Sequence, residues 1–533
     1  MSEAGDQIQS APRSTSPARS GLILGTLILV AAVANLNLMV ANVALPDIGK
    51  SFSASQTELN LIAVAYSLGL AASVLYLGAL GDRYGRKLML MLGMAISIPA
   101  SLVAAFAPNF EVLFAGRLIG GIAAGMAYPT TLALIAALWS GPARTRSIAS
   151  WSAFGGAISS LGPVVSGGLL ELAGWWSVFA VTTPLALLAL IASWRLVPAH
   201  VHETKDPVDN LGGVFSIFLI GGLVLAINFA PLPGAATATV IFAAVAIFAG
   251  VIFILRQRAA RFPLYDLKIA GRRLFWVAAV GGICVFGSLM GGIFVATMYM
   301  ENVLGYSALE AGLASLPAGA ALVLIARHSA SLVEARGSRF TLLLGYAFCL
   351  AAFLMMLLTW DASTSFWVVG VTATMLGIGV GLAGTPASRA LTGSVPRIRA
   401  GMASATADLQ RDLGGAIFQS TLGALLTAGY ATAMAAAVAS SPQGAKVPAA
   451  TLSELTMSFG GAQQTAQQYP QFGDAIITTA KSSFLHGDQW AFAAGCLVII
   501  FGGALILFLF PGHDGERRLL AQYELEDSAA SSA

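Results

Sequence analysis

The feature that most constrains this chain is a succession of apolar segments, each close to the roughly 20 residues that cross a bilayer as a helix, running almost from end to end. Hydrocarbon offers no partner to a bare N–H or C=O, so such segments must pair their own backbone groups as helices or close into a barrel. No ten-residue alternation of apolar and polar side chains marks barrel strands. The expected fold class is an all-α polytopic membrane protein, and 57% hydrophobic against 10% charged residues puts the chain outside the soluble globular range. Fourteen spans are predicted, at roughly 21–45, 58–80, 88–107, 111–138, 148–170, 175–198, 211–231, 235–255, 275–300, 310–332, 340–359, 365–388, 401–430 and 490–511.

An even number of spans puts both termini on one side, and the placement of Lys and Arg decides which. Most of the 28 basic residues fall in the tails and even-numbered loops, among them Arg144, Arg146, Arg256, Arg258, Arg261, Lys268, Arg272, Arg273, Arg397 and Arg399. The opposite loops hold only Lys50, Lys446 and Lys481. Both termini are thus expected on the cytoplasmic side of a bacterial inner membrane. Residues 1–20, rich in Ser, Pro, Ala and Gly, carry no long apolar run of their own, which argues against a cleaved signal peptide. Cys284, Cys349 and Cys496 fall inside predicted spans, so no disulfide framework and no zinc or haem site is indicated. The chain lacks a GxxxxGK[ST] loop, which removes nucleotide-driven pumping, and nothing points to an enzyme, a cofactor, a metal or a nucleic-acid partner.

Between the second and third spans lies GALGDRYGRKLML, Gly78 to Leu90, with Asp82, Arg83, Arg86 and Lys87 among Gly78, Gly81 and Gly85. Glycines let backbones approach, and clustered charges can exchange partners when two bundles close on one face; taken alone, the same composition also suits an ordinary basic loop. The stretch resembles the loop between the second and third helices of the major facilitator superfamily. On that resemblance, Asp82 with Arg83 and Arg86 reads as a cytoplasmic latch holding the inner gate shut, with Gly78 and Gly85 allowing the approach.

The likeness continues along the first half. LNLMVANVALPDI, Leu36 to Ile48, resembles the first helix of the fourteen-span drug/proton antiporters of the EmrB/QacA type through Asn42, Val43, Ala44, Leu45 and Pro46. Where that family carries an intramembrane Asp this chain has Asn37, and Met39 replaces its Thr. Asn does not titrate, so any coupling acid must lie elsewhere. Arg117, within LFAGRLIGGIAAGMAYP, either snorkels outward or faces a cavity, and the likeness to the superfamily's fourth-helix motif favours the cavity, although Gly120 stands where the family has Gln. GGAISSLGPVVSGG, Gly155 to Gly168, resembles the fifth-helix motif of exporters in this superfamily, with Gly162, Pro163, Gly167 and Gly168 in register. It predicts a kinked helix that another can approach closely, and it is the best single pointer to export. The linker Val197–Asn210 holds His200 and His202, which read as solvated residues rather than metal ligands. Spans seven and eight, with Asn228 almost their only polar side chain, read as lipid-exposed linkers.

The second half repeats the first weakly, as parallel-repeat transporters do. Ala326–Arg339 is a degenerate copy of the Gly78 stretch, with Glu334, Arg336, Gly337 and Arg339 in corresponding positions. Met298–Pro317 resembles the same antiporter family through Leu304, Gly305, Tyr306, Gly312, Leu316 and Pro317, with Glu301 where Gln is usual. Gly377–Ser420 does so through Gly401, Ala403, Ser404, Arg411, Leu413, Gly414 and Gly415. With a helix starting near Ala400, Asp408 lies about 12 Å deep and Arg411 about 16 Å. Asp408, Arg411 and Asp412, at i, i+3 and i+4, share one face. Three ionisable groups there form either a functional site or a self-neutralising structural cluster. Residues 432–489 are expected as a long outside loop with a short helix or hairpin, His486 being a polar residue within it.

The resemblance implies a major facilitator fold of two six-helix bundles plus two linker helices. Its expected parts are a tail (1–20), a bundle (21–200), a linker (201–262), a second bundle (263–512) and a tail (513–533). It implies a multidrug efflux antiporter, proton-coupled and working by alternating access, that exports small hydrophobic or cationic compounds. The expected partners are a small-molecule substrate, protons and membrane lipid around a monomer. Proton coupling falls to Asp408 with Arg411 and Asp412, with Glu301 as a second candidate and Arg117 and Asn37 in the cavity. An exporter of a lipid or lipid-like metabolite, or a non-transporting sensor or scaffold, would suit the same composition.

Overall fold

The computed structural model describes residues 17–52, 56–199, 207–230, 234–396, 399–441 and 447–532, and among them each apolar segment pairs its backbone as a helix. In chain order these are α1 (Ser20–Phe52), α2 (Gln56–Tyr84), α3 (Arg86–Ala105), α4 (Phe110–Leu138), α5 (Gly141–Ala173), α6 (Trp176–Ala180), α7 (Thr182–Leu196), α8 (Asn210–Phe229) and α9 (Ala236–Ala259). The second half holds α10 (Leu267–Ala270), α11 (Arg273–Tyr299), α12 (Ala308–Arg336), α13 (Ser338–Thr359), α14 (Phe366–Gly393), α15 (Ala400–Ser440), α16 (Ala449–Met457), α17 (Phe459–Gln468), α18 (Gly473–Leu509) and α19 (His513–Ser532).

Among the described residues 13 stretches are long and apolar enough to cross a membrane, α6 and α7 together making one of them. Helix α5, with Arg144 and Arg146 in its first turns, completes fourteen by packing between α1 and α12. Helices α3, α5, α11, α13 and α15 all start at one face, here called the base; the other is the top. Gly85 (φ 113°) turns the chain from α2 into α3 at the base, and Gly337 (φ 85°) does the same between α12 and α13, which is the internal repeat in backbone form. The two six-helix bundles meet where α2 and α4 pack on α15 and where α5 packs on α12 and α14. Helices α8 and α9 pair with each other, and α8 lies on α2. Val240, Ile247, Phe248 and Val251 of α9 point outward, as a lipid-facing helix requires.

The top differs from the sequence expectation. The segment 432–489 is mostly helical rather than loop: α15 continues to Ser440, α18 begins at Gly473, and α16 and α17 lie between. Alanine-rich sequence favours helix wherever tertiary contacts hold it. Here the Tyr430 hydroxyl donates to the carbonyls of Leu455 (2.9 Å) and Ser458 (3.2 Å), and Phe484 packs edge-on against Tyr430 and Phe459. His486 accordingly lies in α18, exposed, with its ring 5.9 Å from that of Trp490. The tail 1–16, His200 and His202 of the linker, Arg397 and Lys446 lie outside the described residues.

At the base, α19 closes the second bundle. Buried Glu516 accepts from the backbone N–H (3.0 Å) and hydroxyl (2.5 Å) of Ser338, capping α13. Arg272 binds both carboxylate oxygens of Asp527 (3.1 and 2.5 Å) and lies over the Tyr523 ring.

Candidate functional site

One face of α15 carries the site. Gly401, Ser404, Asp408 and Arg411 follow each other by three or four residues, so they form a stripe rising from the base. The stripe faces the other bundle. The Gly401 backbone N–H donates to both carboxylate oxygens of Asp82 on α2, at 3.2 and 3.0 Å. The Ser404 hydroxyl donates to the Pro129 carbonyl of α4, and Arg411 Nη1 donates to the Tyr128 hydroxyl of the same helix.

At the lower end, Asp82 is buried and also accepts from Arg86 Nε (3.1 Å) and Nη2 (2.8 Å). A charged carboxylate there is held by a guanidinium from its own bundle and a helix N-terminal amide from the other, where the α15 dipole adds to the attraction. A Cβ at Gly401 would fall 2.4 Å from the Asp82 carboxylate and displace it from this contact. Gly78 stands against the Gly401 carbonyl, 3.4 Å from where its own Cβ would be. Arg83 is half-buried beside them. A second strap at the base runs from Arg144 of α5 to the Thr392 carbonyl of α14, at 2.7 Å.

At the upper end, Arg411 is flanked by two acids. Its Nη2 lies 4.0 Å from Asp408 Oδ1 and its Nε 3.5 Å from Asp412 Oδ1, the latter an ion pair without hydrogen-bond alignment. Its guanidinium carbon sits 4.2 Å from the centroid of the Tyr128 ring, which packs in turn against Trp151. Trp151 Nε1 donates to Thr131 at 2.9 Å, fixing the aromatic pair. Asp408 is 1% exposed, and Oδ2 of both Asp408 and Asp412 is buried with no hydrogen-bond partner. Two acids therefore share one cation, each with an oxygen to spare.

The remaining candidates sit elsewhere. Glu301 is on the π-helical turn Met300–Leu304 that ends α11 at the top, half-buried, while Asp408 is only two turns from the base. The structure does not bring the two acids together, because α11 and α15 both rise from the base and the two residues lie about 30 Å apart along that axis. Arg117 is buried inside the first bundle and donates to the carbonyls of Ile62 (3.1 Å) and Asn37 (2.9 Å), so it does not snorkel. Asn37 donates to the Val33 carbonyl (3.1 Å) and accepts from Thr182 (3.2 Å). Helix α5 runs unbroken through Gly162 and Pro163. Gly162 faces Met39 of α1, which a Cβ would approach to 2.7 Å, and Gly167 faces Leu309 of α12. Gly168 meets nothing within 4 Å.

Sequence reasoning missed three groups. Tyr128 had a signal, a phenol inside a glycine-rich span next to a proline. Tyr66 had none; its ring flanks Arg117, and its hydroxyl donates to the Ala34 carbonyl at 3.1 Å. Asp488 of α18 is 2% exposed with both oxygens unpartnered, and it was hidden by lying in a stretch that reads as loop.

Comparison with known proteins gives a consistent picture. The profile of the Major Facilitator Superfamily matches residues 27–419. The chain is 31% identical over 507 residues to the multidrug efflux pump LfrA of Mycolicibacterium smegmatis, covering 94% of this chain and 98% of that protein. It is 30% identical over 501 residues to the methyl viologen resistance protein SmvA of Salmonella typhimurium, covering 93% and 97%. Its fold superposes on the crystal structure of the human organic anion transporter MFSD10 with a TM-score of 0.59 at 15% identity, covering 92% of this chain and 100% of that one.

Proposed function

The chain belongs to the major facilitator superfamily, a multi-pass membrane transporter rather than an enzyme, and from that premise we propose that it exports small hydrophobic or cationic compounds in exchange for protons. Relatives named for efflux of drugs and resistance to methyl viologen, itself an organic dication, support the substrate class. The observation that carries the coupling is the Arg411 guanidinium, which reaches across to Tyr128 of the other bundle while two buried acids, each with a free oxygen, compete for its charge.

In this reading the base faces the cytoplasm, as the Lys and Arg distribution predicts. A proton arriving at Asp408 Oδ2 removes the charge that draws Arg411 toward Asp408 and leaves the guanidinium to Asp412 and Tyr128. Because Asp408 and Arg411 share a helix face with Ser404 and Gly401, a small turn of α15 carries the change to the Asp82–Gly401 contact about 10 Å nearer the base. The latch and the proton site are thus two ends of one rigid element. Each state is selected by its differential hold on the proton and on the substrate. The testing experiment is proton-driven uptake into inverted vesicles by Asp408→Asn: loss of uptake with the protein folded supports the assignment, and full retained uptake sinks it.

A further inference from the structure

Arg117 presents a charge that nothing in the first bundle balances. It is 2% exposed, and its hydrogen bonds go to two backbone carbonyls, those of Ile62 and Asn37. The rings of Tyr66 and Phe179 lie 5.4 and 5.7 Å from its guanidinium carbon. These neighbours offer dipoles and ring quadrupoles, and none carries a full negative charge. Among the described residues no carboxylate lies within ion-pair distance of it, and its third nitrogen, Nη2, is buried with no hydrogen-bond partner. A buried cation left in this condition is costly, and the cost falls when an anion joins it.

The space for one is present. A cavity with room for about one water-sized particle is lined by Asn37, Tyr66, Ser101, Arg117, Gly120 and Phe179. Gly120 contributes no side chain to fill it. The Thr182 hydroxyl, with one proton to give, lies 3.2 Å from the Asn37 amide oxygen, 2.8 Å from the Phe179 carbonyl and 3.1 Å from the Ser101 hydroxyl, so Ser101 and Thr182 hydrogen-bond to each other at the edge of the cavity. A donor that carries a full positive charge, Arg117 Nη2, is therefore buried where no acceptor has been supplied. A water molecule would satisfy the hydrogen bond and leave the charge uncompensated.

We infer that this cavity is a binding site for a small inorganic anion, chloride in a cell, held by Arg117 Nη2 beside Asn37 and Ser101. A carboxylate at residue 37 would line the same cavity and supply the counter-charge from the chain itself. The site is internal to the first bundle, and it stands whether or not the chain moves protons.

The test uses the purified full-length protein in detergent, unfolded thermally while chloride is exchanged for gluconate at constant ionic strength. The wild type should gain a few degrees in Tm, saturating with chloride concentration, and bromide should substitute for chloride. Asn37→Gln, which stays neutral, should keep the dependence. Asn37→Asp places the counter-charge in the chain itself and should show a Tm independent of chloride. A wild-type Tm that is the same in chloride and gluconate means that water fills the cavity and overturns the proposal. An undiminished chloride response in Asn37→Asp overturns it equally.

Discussion

Replacing Asp408 with Asn separates the two jobs a buried acid can have. Asn keeps the volume and one carbonyl oxygen but has neither charge nor exchangeable acid proton. At 4.0 Å and an effective dielectric of about 20, the Asp408–Arg411 attraction amounts to about 4 kcal/mol. Against that stands the desolvation of a carboxylate that is 1% exposed, a penalty of several kcal/mol that Asn does not incur. The two terms nearly cancel, and Asp412, at 3.5 Å, still compensates Arg411. Folding stability should therefore change by no more than about 1–2 kcal/mol. Transport should behave differently. In inverted vesicles with an imposed proton gradient, accumulation of a fluorescent organic cation should fall at least about tenfold, while exchange of labelled for unlabelled substrate without a gradient persists. Accumulation at the wild-type level, still collapsed by a protonophore, would refute the assignment of the coupling proton to Asp408. Loss of both accumulation and exchange with a much lower Tm would show the cluster to be structural.

The other expectations concern the stripe and the base. Asp82→Asn should lower the transport rate while leaving substrate Kd, measured by equilibrium binding, unchanged; Gly401→Ala strikes the same contact from the other side, so the double variant should be no worse than the poorer single one. Tyr128→Phe removes a hydrogen bond to a charged group, about 1.5–3 kcal/mol of support for the closed base, and should speed alkylation of a cysteine placed there as Ala79→Cys. Glu516→Ala leaves the Ser338 N–H and hydroxyl without their acceptor and should lower stability by about 1–3 kcal/mol, seen as a reduced Tm.

Spans were legible in the sequence because hydropathy and backbone pairing leave a membrane chain almost no alternative. The cluster of Asp408, Arg411 and Asp412 was legible for the same kind of reason: helix spacing alone puts them on one face. What the cluster touches was not. Tyr128 and Arg411 are 283 residues apart, and no local pattern announces a contact between bundles. The Gly78–Leu90 stretch showed its charges, yet its partner across the gap is a backbone amide, that of Gly401, which every residue but proline possesses. Glu301 reads from the sequence as a second coupling candidate because it too is an acid in apolar surroundings; only the helix directions show that it and Asp408 lie at opposite ends. The top helices are not legible as such because Ala, Ser and Gln give no amphipathic stripe strong enough to declare itself; Tyr430 and Phe484 supply the packing that orders them.

In the proposed cycle, proton entry through Asp408 drives export. It is tested most directly by purified protein in liposomes carrying a lumenal pH dye, with no electrical gradient, to which an organic cation is added. A proton flux opposite to the substrate flux is expected, dependent on substrate concentration and absent in Asp408→Asn. Substrate movement with no accompanying proton flux, or a proton flux unchanged in Asp408→Asn, would contradict it.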